Sequence, residues 1–235
     1  MPSPLRPEIA GFDIAGWNRP ADQTGGDYYD WQELPDGRWI VSLADVSGHG
    51  IGPALVTAAC RAYMRASSQY DGDLCSIASR MNRLLAHDLP EGRFVTMASI
   101  LIDPRGGPLA LLSAGHGPSF LWLHASGSVE ELVPDDLPLA VLSDATFGPA
   151  RSVELRPGDM LVLVTDGFFE WAKASPAGGR DHERFGLDRL RASLASHADK
   201  PPAALIEAVA ADVAAFAGGE PPQDDLTMVV VRRAG

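Results

Sequence analysis

Cysteine is nearly absent: the 235-residue chain contains two, Cys60 and Cys75. Two thiols make no disulfide framework and, without histidines at ligand spacing, no zinc site. Both lie in helix-like segments and read as buried, reduced thiols. Positive charge is also scarce. There are 19 Lys+Arg against 31 Asp+Glu, a formal net charge of -12, and no long basic stretch. That balance argues against nucleic acid as a partner. It reflects either an ordinary acidic surface or a metal site counted without its metal. Long hydrophobic runs are missing too. The strongest, Met160 to Val164, is far too short to cross a bilayer, and Met1 to Ala10 shows no apolar stretch of a secretory signal. No membrane partner and a cytoplasmic location are expected. No repeat and no linker divides the chain, so residues 1–235 read as one domain. Hydrophobic residues make up 46%, enough for a full core.

Strand-like runs span Phe12–Arg19, Asp27–Leu34, Arg38–Ala44, Phe94–Ile102, Leu109–Ala114, Ser119–Leu123, Val129–Val133 and Thr227–Val231. Pro35-Asp36-Gly37 between the second and third of these predicts a hairpin. Arg151–Leu155 and Met160–Val164 predict another, around Pro157-Gly158-Asp159. Helices are expected from Pro53 to about Ser67, after an Asp73 N-cap, near Gly186, and from Pro202 to Gly218-Gly219. In the second of these, Leu74, Ile77, Met81, Leu84 and Leu85 recur at helical spacing and are expected to face a core. Pro134–Ala150 reads as loop, and Ala172–Arg184 as a polar surface segment. Clustered helices with antiparallel-looking strands suggest an α+β layered domain.

Four aspartates sit where hydrophobic runs begin or end: Asp27, Asp45, Asp166 and Asp224. The first hairpin brings Asp27 and Asp45 to the same end of a sheet. Carboxylates gathered together repel unless protonated or neutralised by a cation. Oxygen ligands without cysteine or histidine select hard ions such as Mg²⁺ or Mn²⁺. Aspartates at strand ends also cap turns, which is the alternative reading of each. Asp30 lies three residues beyond Asp27, on the opposite face of a regular strand, and reads as structural. Asp225 points away if Asp224 points in; the adjacent pair leaves that choice open.

The surrounding residues form six short motifs in order: Gly25-Gly26-Asp27-Tyr28-Tyr29-Asp30, Asp45-Val46-Ser47-Gly48-His49-Gly50, Ser113-Ala114-Gly115-His116-Gly117-Pro118, Leu137-Pro138-Leu139, Thr165-Asp166-Gly167 and Asp224-Asp225-Leu226-Thr227. On these the chain, from about Phe12 to Arg232, resembles the bacterial SpoIIE/RsbU-like branch of the PPM (PP2C-type) serine/threonine phosphatases. The resemblance implies a four-layer α-β-β-α sandwich of two packed antiparallel sheets, a core of about 12–232, and two Mn²⁺ or Mg²⁺ ions at one edge. It implies that Asp45 bridges both ions, that Val46 supplies a carbonyl and Asp27 a further carboxylate, and that Asp166 and Asp224 complete the set. Asp45 and Asp166 are then the catalytic residues of phosphoserine/phosphothreonine hydrolysis by an activated water.

Further implications are a phosphorylated protein substrate, a small STAS-type (anti-anti-sigma) regulator among relatives, and a flap over Ala172–Arg184. A weakly active pseudophosphatase that binds a phosphoprotein is the alternative. Control by a separate protein, by homodimerisation or by a switch in the helices after Gly50 all remain open. His49 stands four positions after Asp45, not two as with the histidine proposed as general acid in eukaryotic relatives, so general acid and helix-entry packing both stay open for it. Arg19 is not in a phosphate-binding motif, and His116 is expected to shape a turn. Gly48-x-Gly50-x-Gly52 lacks the spacing and following strand of a dinucleotide fingerprint.

Overall fold

The computed structural model describes residues 7–48, 50–173 and 183–235. In chain order the elements are β1 (Phe12–Arg19), β2 (Asp27–Glu33), β3 (Trp39–Val46), α1 (Ile51–Ser67), α2 (Leu74–Asp88), β4 (Val95–Ile102), β5 (Leu109–Ala114), β6 (Ser119–Leu123), β7 (Ser128–Leu132), β8 (Arg151–Val153), β9 (Met160–Val164), α3 (Gly167–Glu170), α4 (Gly186–Ser196), α5 (Pro202–Ala217) and β10 (Leu226–Arg233). The strands form two five-stranded sheets, ordered β1-β10-β9-β6-β7 and β2-β3-β4-β5-β8. Every strand pairing within them is antiparallel.

Period-two alternation builds the layers. In β3, Val41 and Leu43 enter the core between the sheets, while Ile40 and Ala44 meet α1 and α2 through Cys60, Met64, Ile77, Met81 and Leu85. In β10, Val229 and Val231 face the inter-sheet core, while Met228 and Val230 meet α5 through Leu205, Val209 and Val213. The result is the expected four-layer α-β-β-α sandwich. Each fully buried aliphatic side chain contributes about 1.5–3 kcal/mol, so both faces of the central strands anchor the strand ends that carry the site.

Local chemistry sets the boundaries. Gly37 takes φ +84 in the β2–β3 turn, where Leu34 N donates to Arg38 O at 2.7 Å. Asp73 caps α2 by accepting from Ser76 N at 2.9 Å. Pro202 opens α5, and Gly218 closes it in the left-handed conformation.

Three expectations are corrected. β8 and β9 are not a hairpin: β8 pairs with β5 in one sheet, and β9 lies between β10 and β6 in the other. The intervening turn exists, with Arg156 N donating to the Asp159 carboxylate at 2.9 Å, but it carries the chain between sheets. β9 is a central strand, paired on both edges by β10 and β6 and buried on both faces, against the α5 layer through Met160, Val162 and Val164 and in the inter-sheet core through Leu161 and Leu163. Leu84 is 40% exposed, whereas Leu74, Ile77, Met81 and Leu85 are buried. Cys75 is only half-buried, unlike Cys60. The short helix α3, directly after Asp166, had no sequence signal. Among the described residues, no helix is long and apolar enough to cross a membrane.

Candidate metal centre

The β2–β3 ladder places Asp27 opposite Asp45. Asp27 is 4% exposed, and its neighbours come from both sheets. Its Oδ2 accepts from Thr165 Oγ1 at 2.8 Å and from Thr227 Oγ1 at 2.6 Å. Its backbone N–H donates to Asp225 Oδ2 at 3.2 Å. The carboxyls of Asp27 and Asp45 also share a hydrogen bond. Two carboxyls can do so only if one keeps its proton. Burial, then the Asp45 charge, push the Asp27 carboxyl well above its ordinary value, more than the two threonine hydroxyls lower it.

The other acidic groups act on the same spot. Burial, then Asp166 and Asp224, push Asp45 up to about 7, against the lowering bond from Asp27. Burial, then Asp224 and Glu170, push Asp166 up to about 6. The charges acting most strongly on all three are carboxylates, an arrangement whose ionised form a cation would favour. Asp166 lies two residues beyond β9 and directly before α3, its carbonyl accepting from Phe169 N at 2.9 Å and Glu170 N at 2.7 Å.

Backbone packing adds a carbonyl to the set. Val46 N donates to Gly26 O at 3.2 Å. A Cβ on residue 26 would stand 2.8 Å from the Val46 carbonyl oxygen and 3.6 Å from both Asp45 Oδ1 and Gly48 O. Only glycine leaves this oxygen-lined space open. Thr57 Oγ1 holds the same strand by donating to Gly26 O at 2.7 Å.

Asp224 and Asp225 divide their tasks. Asp225 is buried, and its carboxylate accepts from Ala21 N at 2.8 Å as well as from Asp27 N. Asp224 is exposed, accepts from Asp225 N at 2.8 Å, and is the one whose charge falls on Asp166. The two lie close against Gly167, where a Cβ would meet Asp225 O at 2.1 Å.

The acidic groups thus meet pairwise, Asp27 with Asp45 and Asp166 with Asp224. Among the described residues, no three His, Cys, Asp or Glu side chains already enclose a single ion position. The donors are all hard oxygens, with the Val46 carbonyl beside Asp45, and they fit a hard divalent cation rather than zinc.

Asp30 is held apart. Arg65 Nε and Nη2 reach its carboxylate at 2.6 and 2.8 Å, and Arg61 Nε at 3.1 Å. Burial pushes that carboxyl up, but the two guanidiniums more than offset it and leave it below its ordinary value. His116, expected only to shape a turn, ties the sheets together. Its Nε2 donates to Val164 O at 3.1 Å, and Thr96 Oγ1 donates to its Nδ1 at 2.9 Å. Burial pushes the imidazole down to about 4.

His49 and residues 174–182 of the expected flap lie outside the described residues. At the flap's base, Ala172 bridges Arg184, and Arg184 Nη1 pairs with Glu170 at 2.8 Å. Sequence reasoning passed over Thr57, Thr165 and Thr227. Thr165 and Thr227 were visible within their motifs. The alternation of β10 also sets Thr227 on the face of Asp225.

The model of the Stage II sporulation protein E (SpoIIE) family matches residues 35–234. Protein IcfG of Synechocystis is 25% identical over 97% of this chain, and phosphoserine phosphatase RsbP of Bacillus subtilis 24% identical over 67% of it. The chain spans 39% and 40% of the lengths of these two curated relatives. The solved SiaA-PP2C domain of Pseudomonas aeruginosa is 26% identical, with a TM-score of 0.79 over 93% of this chain and 84% of that one. With the family model running from the β2–β3 turn to the end of β10, and a PP2C domain sharing the sandwich, the chain belongs to the SpoIIE family of PP2C-type phosphatase domains.

Proposed function

We propose that residues 1–235, with a core of about 12–232, form one metal-dependent phosphatase domain that hydrolyses phosphoserine or phosphothreonine in a protein substrate. The observation carrying this reading is the Asp27–Asp45 carboxyl pair, fixed in register, with the charges of Asp166 and Asp224 among the strongest acting on Asp45. Mn²⁺ or Mg²⁺, two ions expected, would neutralise phosphoryl charge and ease the loss of a proton from water.

The chain's own residues prepare that chemistry. Asp45 and Asp166 release their protons when the site is loaded and become the carboxylates nearest the reaction. Asp27, Asp45, Asp166 and Asp224, with the Val46 carbonyl, would hold the ions, and the family resemblance assigns Asp45 the shared role, Asp27 and Val46 one side and Asp166 and Asp224 the other. Thr165 and Thr227 hold the Asp27 carboxylate in one orientation, and Asp225 holds the strand beneath it. A small STAS-type regulator is the substrate class and the cytoplasm the location proposed, both from the family resemblance.

The test is Mn²⁺-dependent turnover of p-nitrophenyl phosphate and of a phosphoserine peptide. Asp45→Asn and Asp166→Asn should each lose roughly 10³-fold or more while folding normally. Full activity in either variant, or in EDTA, would contradict the reading. No turnover by the unmodified protein would favour a phosphoprotein-binding pseudophosphatase.

A further inference from the structure

A cleft of about 520 Å³ lies between the β1–β2 loop and α1, lined by Thr24, Gly25, Thr57, Ala58, Arg61 and Arg65 among others. It adjoins the site through the backbone. Gly25 and Gly26 lead directly into Asp27, and Thr57, on the cleft wall, donates to Gly26 O at 2.7 Å.

Its charge runs against that of the molecule. Two guanidiniums share one carboxylate, Asp30, which is 3% exposed while Arg61 and Arg65 are 28% and 44% exposed. Asp30 takes Nε and Nη2 of both arginines, and Trp31 O takes a further bond from Arg65 Nη2 at 3.3 Å. Nη1 of each arginine has no acceptor among the described residues. A local cationic excess with unused planar donors, in a chain of net charge -12, is complementary to a carboxylate. Ala58 and Ala62, one turn apart on α1 and both exposed, leave room over the arginines.

We propose that this cleft is a substrate subsite that receives an acidic side chain flanking the phosphorylated residue of the protein substrate. The inference rests on the phosphatase reading above and narrows its substrate class.

Removing Arg61 or Arg65 would strand buried Asp30, so the test places charge in the cleft instead. Ala58→Glu and Ala62→Glu keep the Asp30 pairs and a helix-forming residue. Ala58→Lys and Ala62→Lys are similar in size with opposite charge. Each protein is assayed with phosphoserine peptides carrying Glu or Gln beside the phosphoserine. The unmodified protein should prefer the Glu peptide. The Glu substitutions should raise its KM about tenfold, the value of one charge-assisted contact, and the Lys substitutions should not.

Equal KM for the two peptides, or parallel shifts in the Glu and Lys variants, would overturn the proposal. Turnover of p-nitrophenyl phosphate with Mn²⁺, which lacks a flanking side chain, should be unchanged in all four variants. If that turnover is absent from every protein, the phosphatase reading has failed. The cleft is then judged by fluorescence anisotropy of the labelled Glu peptide, where Ala58→Glu should weaken binding about tenfold. Charge-independent anisotropy, or tighter binding of a single-stranded oligonucleotide, would count against the subsite.

Discussion

Thr165 directly follows β9 of one sheet and Asp27 opens β2 of the other, yet the Thr165 hydroxyl donates to Asp27 Oδ2 at 2.8 Å. Thr227 does the same at 2.6 Å. These two bonds join the two sides of the sandwich where the aspartates gather, and they fix the Asp27 carboxyl beside Asp45. Thr165→Val and Thr227→Val should each weaken Mn²⁺ binding by roughly 10–100-fold, the scale for partners that orient a metal ligand. Thr165→Ser should restore most of it. Calorimetric titration of Mn²⁺ decides this, and unchanged affinity in both valine variants would remove the orienting role.

The raised carboxyls predict how cation binding depends on pH. Burial and neighbouring carboxylates hold Asp45 at about 7 and Asp166 at about 6. In the ion-free protein, folding retains protons that the unfolded chain has released. That contribution is present near pH 5 and is lost as pH rises through 6 to 7. Cations take the ionised form, so their effect has the opposite sense. The gap in Tm between Mn²⁺ and EDTA samples should widen from pH 5.5 to pH 8. A constant gap would mean these carboxyls do not exchange protons for metal.

Much of this arrangement was legible in the sequence, and the reasons differ by element. Asp-Gly in the β2–β3 turn is a local signal, so the hairpin and the Asp27–Asp45 juxtaposition could be read directly. The β8–β9 boundary carries an equally clear turn, Pro157-Gly158-Asp159, but a turn does not say which sheet receives the next strand. That depends on β9 pairing with β10 and β6 while its two faces are covered by the helix layer and the other sheet, a non-local fact. The anchoring of Asp225 was hidden for a similar reason. It is made by the backbone N–H groups of Ala21 and Asp27, about two hundred residues away in sequence, which take the Asp225 carboxylate.

His116 predicts a loss of stability in acid. Its imidazole is neutral and buried, pushed from 6.5 down to about 4. The unfolded chain binds this proton first, so the contribution is complete above pH 6.5 and is lost as pH falls toward 4. The full span is worth about 3 kcal/mol at most. His116→Phe should lower stability at pH 7 by removing bonds to Val164 O and Thr96, yet flatten the drop between pH 7 and pH 5. Urea unfolding at both pH values tests this; an equal drop in the variant would place the acid sensitivity elsewhere.

Asp30 should separate from the metal site by mutation. Its carboxylate is engaged by Arg61 and Arg65. Asp30→Asn should cost about 1–3 kcal/mol of stability with little change in Mn²⁺ affinity, whereas Asp27→Asn should lose that affinity. A matching loss in both variants, measured by the same titration, would place Asp30 among the ligands.

Direct counting of bound ions tests the central claim, that Asp27, Asp45, Asp166 and Asp224 serve one shared cation cluster. Mn²⁺ titration at pH 8 should give two sites in the unmodified protein, with Asp45→Asn losing affinity at both and Asp166→Asn chiefly at one. Undiminished stoichiometry and affinity in Asp45→Asn would contradict the account.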